Sequence, residues 1–262
     1  MAASKGTIVL VHGLWMTPKS WDGWKARFEK AGYDVLVPAW PGVSDDIEGL
    51  RKDSSALNGL KISTVVDSYA KVIEALPEKP ILMGHSFGGL VVQLLLDRGY
   101  GRAGVAVDSA QTAGVPVLPL SVIKAGMPVL GNPLTINKTV MLNAKQFHYA
   151  FTNEMSLEES EKVRGELAIP GPGKPLWQAA TNLFTNTGDS KVDYAKTDRA
   201  PLLFVAGGSD HIVPPKVNHK NAKAYKAGTV EVKEFEGRTH YIVGQDGWEE
   251  VADYALTWAE NH

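Results

Sequence analysis

Pro80-Ile81-Leu82-Met83-Gly84-His85-Ser86-Phe87-Gly88-Gly89-Leu90-Val91-Val92-Gln93-Leu94-Leu95-Leu96 is the stretch on which the reading of this chain turns. A short apolar run, a Gly-x-Ser-x-Gly pentapeptide and a second apolar run read as strand, sharp turn and helix. The turn is too tight for a Cβ at either flank, so glycine occupies both. The serine between them is forced into a strained backbone conformation, and its Oγ projects from the sheet edge. A glycine-rich turn with an incidental serine is the blander reading of the pentapeptide alone. The rest of the chain decides between the two.

Working outward, short β-rich runs recur at 7–11, 33–37, 80–83, 104–107, 201–206 and 230–235. Most are apolar throughout, as parallel strands covered on both faces are, and the last alternates, as an edge strand does. Strand–helix alternation predicts a doubly wound, mostly parallel six-stranded α/β sheet. The first helix starts at Thr17 as N-cap with Pro18 at its first position. It carries Trp21, Trp24, Phe28 and Ala31 toward the sheet and ends at Gly32. A second helix is expected over 64–76, with Val65, Val66, Tyr69, Val72, Ile73 and Leu76 inward and Pro77 as its stop. Residues 42–61 read as loop with a short helix. The closing helix, 247–260, turns Val251, Tyr254, Ala255 and Trp258 to one face.

Residues 111–199 are too long for an ordinary connection. They are expected to form a helical cap inserted after the fourth strand, over a core made of 1–110 and 200–262. Helices are expected in the cap at 144–151, at 156–167 behind a Ser156/Glu159 capping box, and at 175–184. Proline-rich runs at 115–120 and 169–175 interrupt it.

The 262 residues carry a net charge of −2 and no Lys/Arg cluster, so nucleic acid is not an expected partner. The absence of cysteine excludes disulfides, thiol catalysis and thiolate zinc. No apolar run reaches membrane-spanning length, and residues 1–6 lack the apolar core of a signal peptide. A cytoplasmic protein without membrane partners is the expectation.

A serine hydroxyl is a poor nucleophile until a base takes its proton, and the base needs an orienting acid. Three further stretches supply the missing parts. In His12-Gly13-Leu14-Trp15, after the first strand, the glycine lets the backbone turn an N–H toward a reacting oxygen. The N–H groups of Leu14 and Phe87 are the candidate oxyanion hole, where one donor is worth about 3–4 kcal/mol. His12 itself reads as structural. In Gly207-Gly208-Ser209-Asp210-His211-Ile212-Val213-Pro214, after the fifth strand, Asp210 is the candidate acid, with Asp108 in reserve. A turn aspartate that bonds its own backbone is the competing role for Asp210. In Gly237-Arg238-Thr239-His240, after the last strand, His240 is the candidate base. The other histidines lie inside the elbow (His85), beside the acid (His211), in helical stretches (His148, His219) or at the terminus (His262).

The order Ser86, Asp210, His240, each after a predicted strand, resembles that of the α/β-hydrolase superfamily across nearly the whole chain. The resemblance implies Ser86 as nucleophile, His240 as base and Asp210 as its partner, with no metal or organic cofactor. The chain departs from many members in starting its His-Gly strand near residue 7, with no room for a leading antiparallel hairpin. It is similar in this to the compact branch that includes plant methylesterases and hydroxynitrile lyases. Dehalogenases and epoxide hydrolases place aspartate at the elbow, where this chain has Ser86. The plant lyases carry a lysine after the histidine and lack the His-Gly glycine, whereas this chain has Tyr241 and Gly13.

The expectation is a carboxylic-ester hydrolase acting on a small or medium apolar ester, with Trp15, Phe147, Phe151, Trp177 and Ile212 around the substrate. Perhydrolase or haloperoxidase chemistry, carbon–carbon bond hydrolysis and hydroxynitrile cleavage use the same triad. A ligand-binding protein on a hydrolase scaffold is the non-enzymatic alternative.

Overall fold

A computed structural model describes residues 4–262. The first three residues, part of the start read above for a signal peptide, lie outside the described residues. In chain order the elements are β1 (Thr7–Val11), α1 (Asp22–Lys30), β2 (Asp34–Leu36), α2 (Ile47–Lys52), α3 (Ile62–Glu74), β3 (Ile81–His85), α4 (Phe87–Asp97) and β4 (Ala103–Val107). Then come α5 (Leu120–Leu130), β5 (Thr139–Val140), α6 (Ala144–Phe151), α7 (Leu157–Leu167), β6 (Gly171–Pro172) and α8 (Gly173–Thr181). The chain closes with β7 (Leu202–Gly207), α9 (Pro215–Ala224), β8 (Val230–Phe235) and α10 (Trp248–Glu260).

Six strands form one parallel sheet in the order β2-β1-β3-β4-β7-β8. The alternation of side chains along each strand divides the core. Ile8, Leu10, Ile81, Met83, Val105 and Val107 pack on one face with Trp21, Trp24 and Phe28 and with the buried side of α10. Val9, Val11, Leu82 and Ala106 pack on the other with α3 and α4. Helix α4 is buried on every side from Phe87 to Leu96, so its apolar run has no polar face to show. Its one long polar residue, Gln93, is held by Ser109, Asn221 and Tyr225.

Two expectations need correction. The chain from Pro18 to Trp21 is a tight 3₁₀ turn, and α1 proper starts at Asp22; the Thr17 side chain makes no cap bond. Tyr254 faces solvent at 37% exposure while Val251, Ala255 and Trp258 are buried, because Ala252, Leu256 and Ala259 complete the buried side of α10 without it. The capping box of α7 forms in full, with Ser156 and Glu159 bonding reciprocally.

Between β4 and β7 lie α5 to α8 and the small antiparallel pair β5–β6. Helix α5 escapes the sequence reading, because Pro119 precedes it and Pro128 sits inside it. None of the described helices is long and apolar enough to cross a membrane.

Candidate active site

In a parallel sheet every strand ends at the same edge, so residues that follow strands meet there. The register shows this directly. Val11 pairs with Gly84, His85 with Val107, and Gly207 with Phe235. The chain winds outward from β1 to β2 and then returns to place β3 on the other side of β1. Such a reversal opens a crevice between the two central strand ends, where open α/β sheets bind ligands. Gly13 and Ser86 lie at that crevice.

Ser86 sits at φ 57° and ψ −121°, a region closed to most L-residues. The strain is held by neighbours. The Ser86 N–H donates to Val107 O on β4 at 2.9 Å, and its carbonyl accepts from Gly89, Leu90 and Ala110. A Cβ on Gly84 would collide with the Gly88 carbonyl, and one on Gly88 with the Val11 carbonyl. Both glycines are therefore demanded by close backbone packing. A Cβ on Gly13 would stand 2.9 Å from the Ser86 Cβ, so the His-Gly turn rests directly on the serine. Among the described residues, the N–H groups of Leu14 and Phe87 have no backbone carbonyl as acceptor.

His240 and Asp210 are fully buried side chains joined by a 2.6 Å contact between Nδ1 and Oδ2. The ring Nδ1–H donates to the carboxylate. Asp210 Oδ1 accepts the N–H groups of Ile212 and Val213 at 2.6 and 2.9 Å. The competing role expected for this aspartate and its role beside the histidine thus coexist, one on each oxygen. The backbone bonds clamp the carboxylate in the orientation that the imidazole needs. Nε2 of His240 is buried and has no partner among the described residues. Ser86 is 4% exposed.

His85, set aside in the sequence reading, has a task. Its Nε2–H donates to the His240 carbonyl at 2.7 Å, tying the elbow to a loop 155 residues away. Burial, and then the neighbouring His240, hold its ring well below the usual histidine range, so it is neutral. Nothing in the pentapeptide marks this tether. His12 is structural, with Nε2 accepting the Trp40 N–H at 3.1 Å and Nδ1 donating to Gly13 O. Burial lowers its pKa to about 4.

A cavity of about 240 Å3 opens above Ser86. Ser86, Phe87, Trp15 and Ile212 form its base; Val122, Gly126 and Met127 of α5 and Leu176 and Ala179 of α8 form its walls. Gln111 supplies an amide, and the rest is almost wholly apolar. Three residues expected around substrate, Phe147, Phe151 and Trp177, do not line this cavity. Phe147 is fully buried and stacks on Phe151, with ring centroids 4.8 Å apart. Phe151 packs edge-on against His240 at 5.0 Å, and its carbonyl accepts the Tyr241 N–H. Trp177 bonds Thr135 through its indole N–H. These aromatics pack the segment onto the sheet and His240; α5, without a readable cap, lines the cavity. Asn153 adds a bond to the Ser209 carbonyl beside Asp210.

Comparison with known proteins meets this geometry. Residues 8–254 match the model of the alpha/beta hydrolase family. A carbendazim hydrolyzing esterase from Nocardioides sp. (strain SG-4G) is 36% identical over 91 residues, 34% of this chain and 35% of that protein. The match thus spans about a third of that relative's length. An extracellular α/β-hydrolase from a Paenibacillus species superposes with a TM-score of 0.71 at 22% identity, covering 97% of this chain and 98% of its own. A monoacylglycerol lipase from Paleococcus ferrophilus gives 0.69 at 22%, covering 98% and 95%. An Arabidopsis methylesterase gives 0.70 at 13%, covering 98% and 99%. At such identities the structural likeness speaks for the fold. Taken with the family match over nearly the whole length, it means that this chain belongs to the alpha/beta hydrolase family.

Proposed function

We propose that the protein is a serine hydrolase that cleaves carboxylic esters through an acyl-enzyme. The observation that carries this reading is the joint geometry at the sheet edge. A strained serine at a tight elbow lies at the same sheet edge as an imidazole whose Nδ1 is held by a clamped carboxylate and whose Nε2 is unengaged, and His85 beside the serine bonds that histidine's carbonyl. In this reading Ser86 attacks the ester carbonyl. His240 takes the serine proton on Nε2 and returns it to the leaving alcohol. Asp210 orients the ring and stabilises its cation. The Leu14 and Phe87 N–H groups hold the oxyanion. Water activated by His240 then releases the acid.

The cavity supports an apolar ester of small or medium size. Its mouth is apolar as well, with Ile123, Met127 and Phe184 both lining it and exposed to solvent. Residues 111–199 act in this reading as the cap that shapes the substrate pocket. The carbendazim hydrolyzing esterase, similar over 91 residues, is named an esterase, which agrees with the choice of substrate bond.

A panel of p-nitrophenyl esters of increasing acyl length tests the proposal. Turnover that depends on chain length is expected, together with fluorophosphonate labelling at Ser86. No turnover at any length, with labelling intact, would point to another reaction on the same triad. No labelling at all would remove the nucleophile.

A further inference from the structure

Asp108 is a buried carboxyl that the mechanism above leaves without a task. It follows β4 at φ 42°, an unusual conformation that aspartate tolerates better than most residues. Its own N–H donates to Val205 O at 2.8 Å. Its Oδ1 accepts the Gly207 N–H at 2.6 Å. Gly207 ends β7, and its carbonyl accepts the Asp210 N–H, so this one peptide launches the turn that carries the acid. The carboxyl of Asp108 therefore grips the root of the Asp210 loop.

Its second oxygen is the informative atom. Oδ2 is fully buried and receives no donor among the described residues. The titratable groups that face it are Asp210 from the loop after β7, His85 from the end of β3 and His240 from the loop after β8. Atoms of Asp108, His85 and His240 lie within 4.8 Å of one another. His85 has no proton to offer, since its single N–H is committed to the His240 carbonyl. The Asp210 carboxyl is within hydrogen-bonding reach, but it too is an acceptor. Two carboxylates in such a place face each other with no donor between them, and like charges in one dry site cannot both ionise.

We propose that Asp108 is a positioning residue kept as the neutral carboxylic acid: Oδ1 holds Gly207, the O–H on Oδ2 donates to Asp210, and the two carboxyls carry one negative charge between them. Burial first, and then the charge of Asp210, push the Asp108 carboxyl well above the usual range. The arrangement fixes Asp210 from behind while its front oxygen meets His240. It also spares the base a second negative charge, which would hold the imidazole protonated when it has to accept a proton.

The inference rests on the triad reading for its catalytic part but not for its protonation part, and the test separates the two. The infrared spectrum of the resting protein at neutral pH should show the carbonyl stretch of a neutral carboxylic acid, and Asp108→Asn should remove it. This arm needs no substrate, so it stands even if the ester reading fails. A wild-type spectrum without that band overturns the proposal. Stability supplies a second readout. Above about 3.8 the unfolded Asp108 ionises while the folded one keeps its proton. Asp108→Asn should therefore gain stability over wild type as pH rises from that value toward neutrality. A difference that stays flat with pH overturns the proposal.

Ester turnover tests the positioning. Asp108→Ala should lower kcat by about 10–100-fold with little change in KM, because it frees the Asp210 loop. Asp108→Asn keeps the acceptor, a donor and the tolerance of positive φ, so it should restore most of that loss. The acid limb of its pH profile should stay where it is in wild type. A fall of that limb by about 1–3 pH units in Asp108→Asn would mean that a charge had been removed, and would overturn the neutral assignment. Full activity in Asp108→Ala would overturn the positioning role.

Discussion

At the carboxyl edge of the sheet the candidate functional groups are placed by backbone; across residues 111–199 the cavity wall is placed by side-chain packing. Gly13, Gly84 and Gly88 are each required where another residue's atoms press within contact distance, and Ser86 is held at positive φ by β4. Such constraints leave marks in sequence, because only glycine satisfies them. In the inserted segment, Phe147, Phe151 and Trp177 are large and aromatic yet lie outside the cavity, while Val122, Gly126 and Met127 of α5 line it. Residue type did not say which way a side chain faces. The lesson is that a role enforced by backbone geometry is readable, and one enforced by the facing of helices is not.

The contrast can be broken most sharply at the elbow. Ser86→Ala should lower ester turnover by about 10⁴-fold or more while thermal unfolding stays unchanged, as initial rates and melting curves would show. Turnover that survives would move the nucleophile elsewhere. Gly13→Ala comes next, since its methyl group would press on Ser86. Its kcat should fall about 10²–10³-fold with KM nearly constant, the size of effect seen when an oxyanion donor is lost.

In the inserted segment the two kinds of residue should separate by readout. Phe147→Ala should cost about 3–5 kcal/mol of stability by denaturant titration and leave acyl-length preference alone. Ala179→Phe, on the cavity wall, should do the reverse. Its kcat/KM for longer acyl esters should fall about 10–100-fold relative to short ones. If Phe147→Ala shifts chain-length preference instead, the cavity extends further than the structure gives it.

The smallest effect concerns His12, buried neutral with a folded pKa of about 4 against 6.5 in the unfolded chain. Below about 6.5 the unfolded state takes up a proton that the folded state refuses, so stability falls as pH drops from there to about 4. His12→Gln should flatten that fall by about 1.4 kcal/mol per pH unit, measured by melts across the interval. An unchanged slope would place the charge uptake elsewhere.

Much of the sheet is legible in the sequence. Six β-rich runs became its six strands, and the chain order of Ser86, Asp210 and His240 pointed to one edge. Other features were hidden for particular reasons. The His85 tether lies inside a motif whose x positions carry no signal of their own. Asp210 offered two roles that sequence treats as rivals, and the structure uses one oxygen for each. Helix α5 carries apolar residues at Leu120, Ile123, Met127 and Leu130, a helical spacing that Pro119 and Pro128 disguise. Phe151 was read as a substrate contact because it is aromatic and sits in the insertion; in the fold it is a wall against His240.

Sequence alone determined the sheet, the elbow and the order of the three groups, because strand periodicity and glycine at crowded turns are local properties. It singled out Ser86, otherwise a residue of a bent turn, as the candidate nucleophile. Only the tertiary structure decided what stands behind and above it. The Asp108–Asp210 pair, the His85 bond to His240 and the apolar cavity under α5 each join residues far apart in the chain. Their chemistry exists only once packing has removed water and set their distances, and no local pattern encodes that.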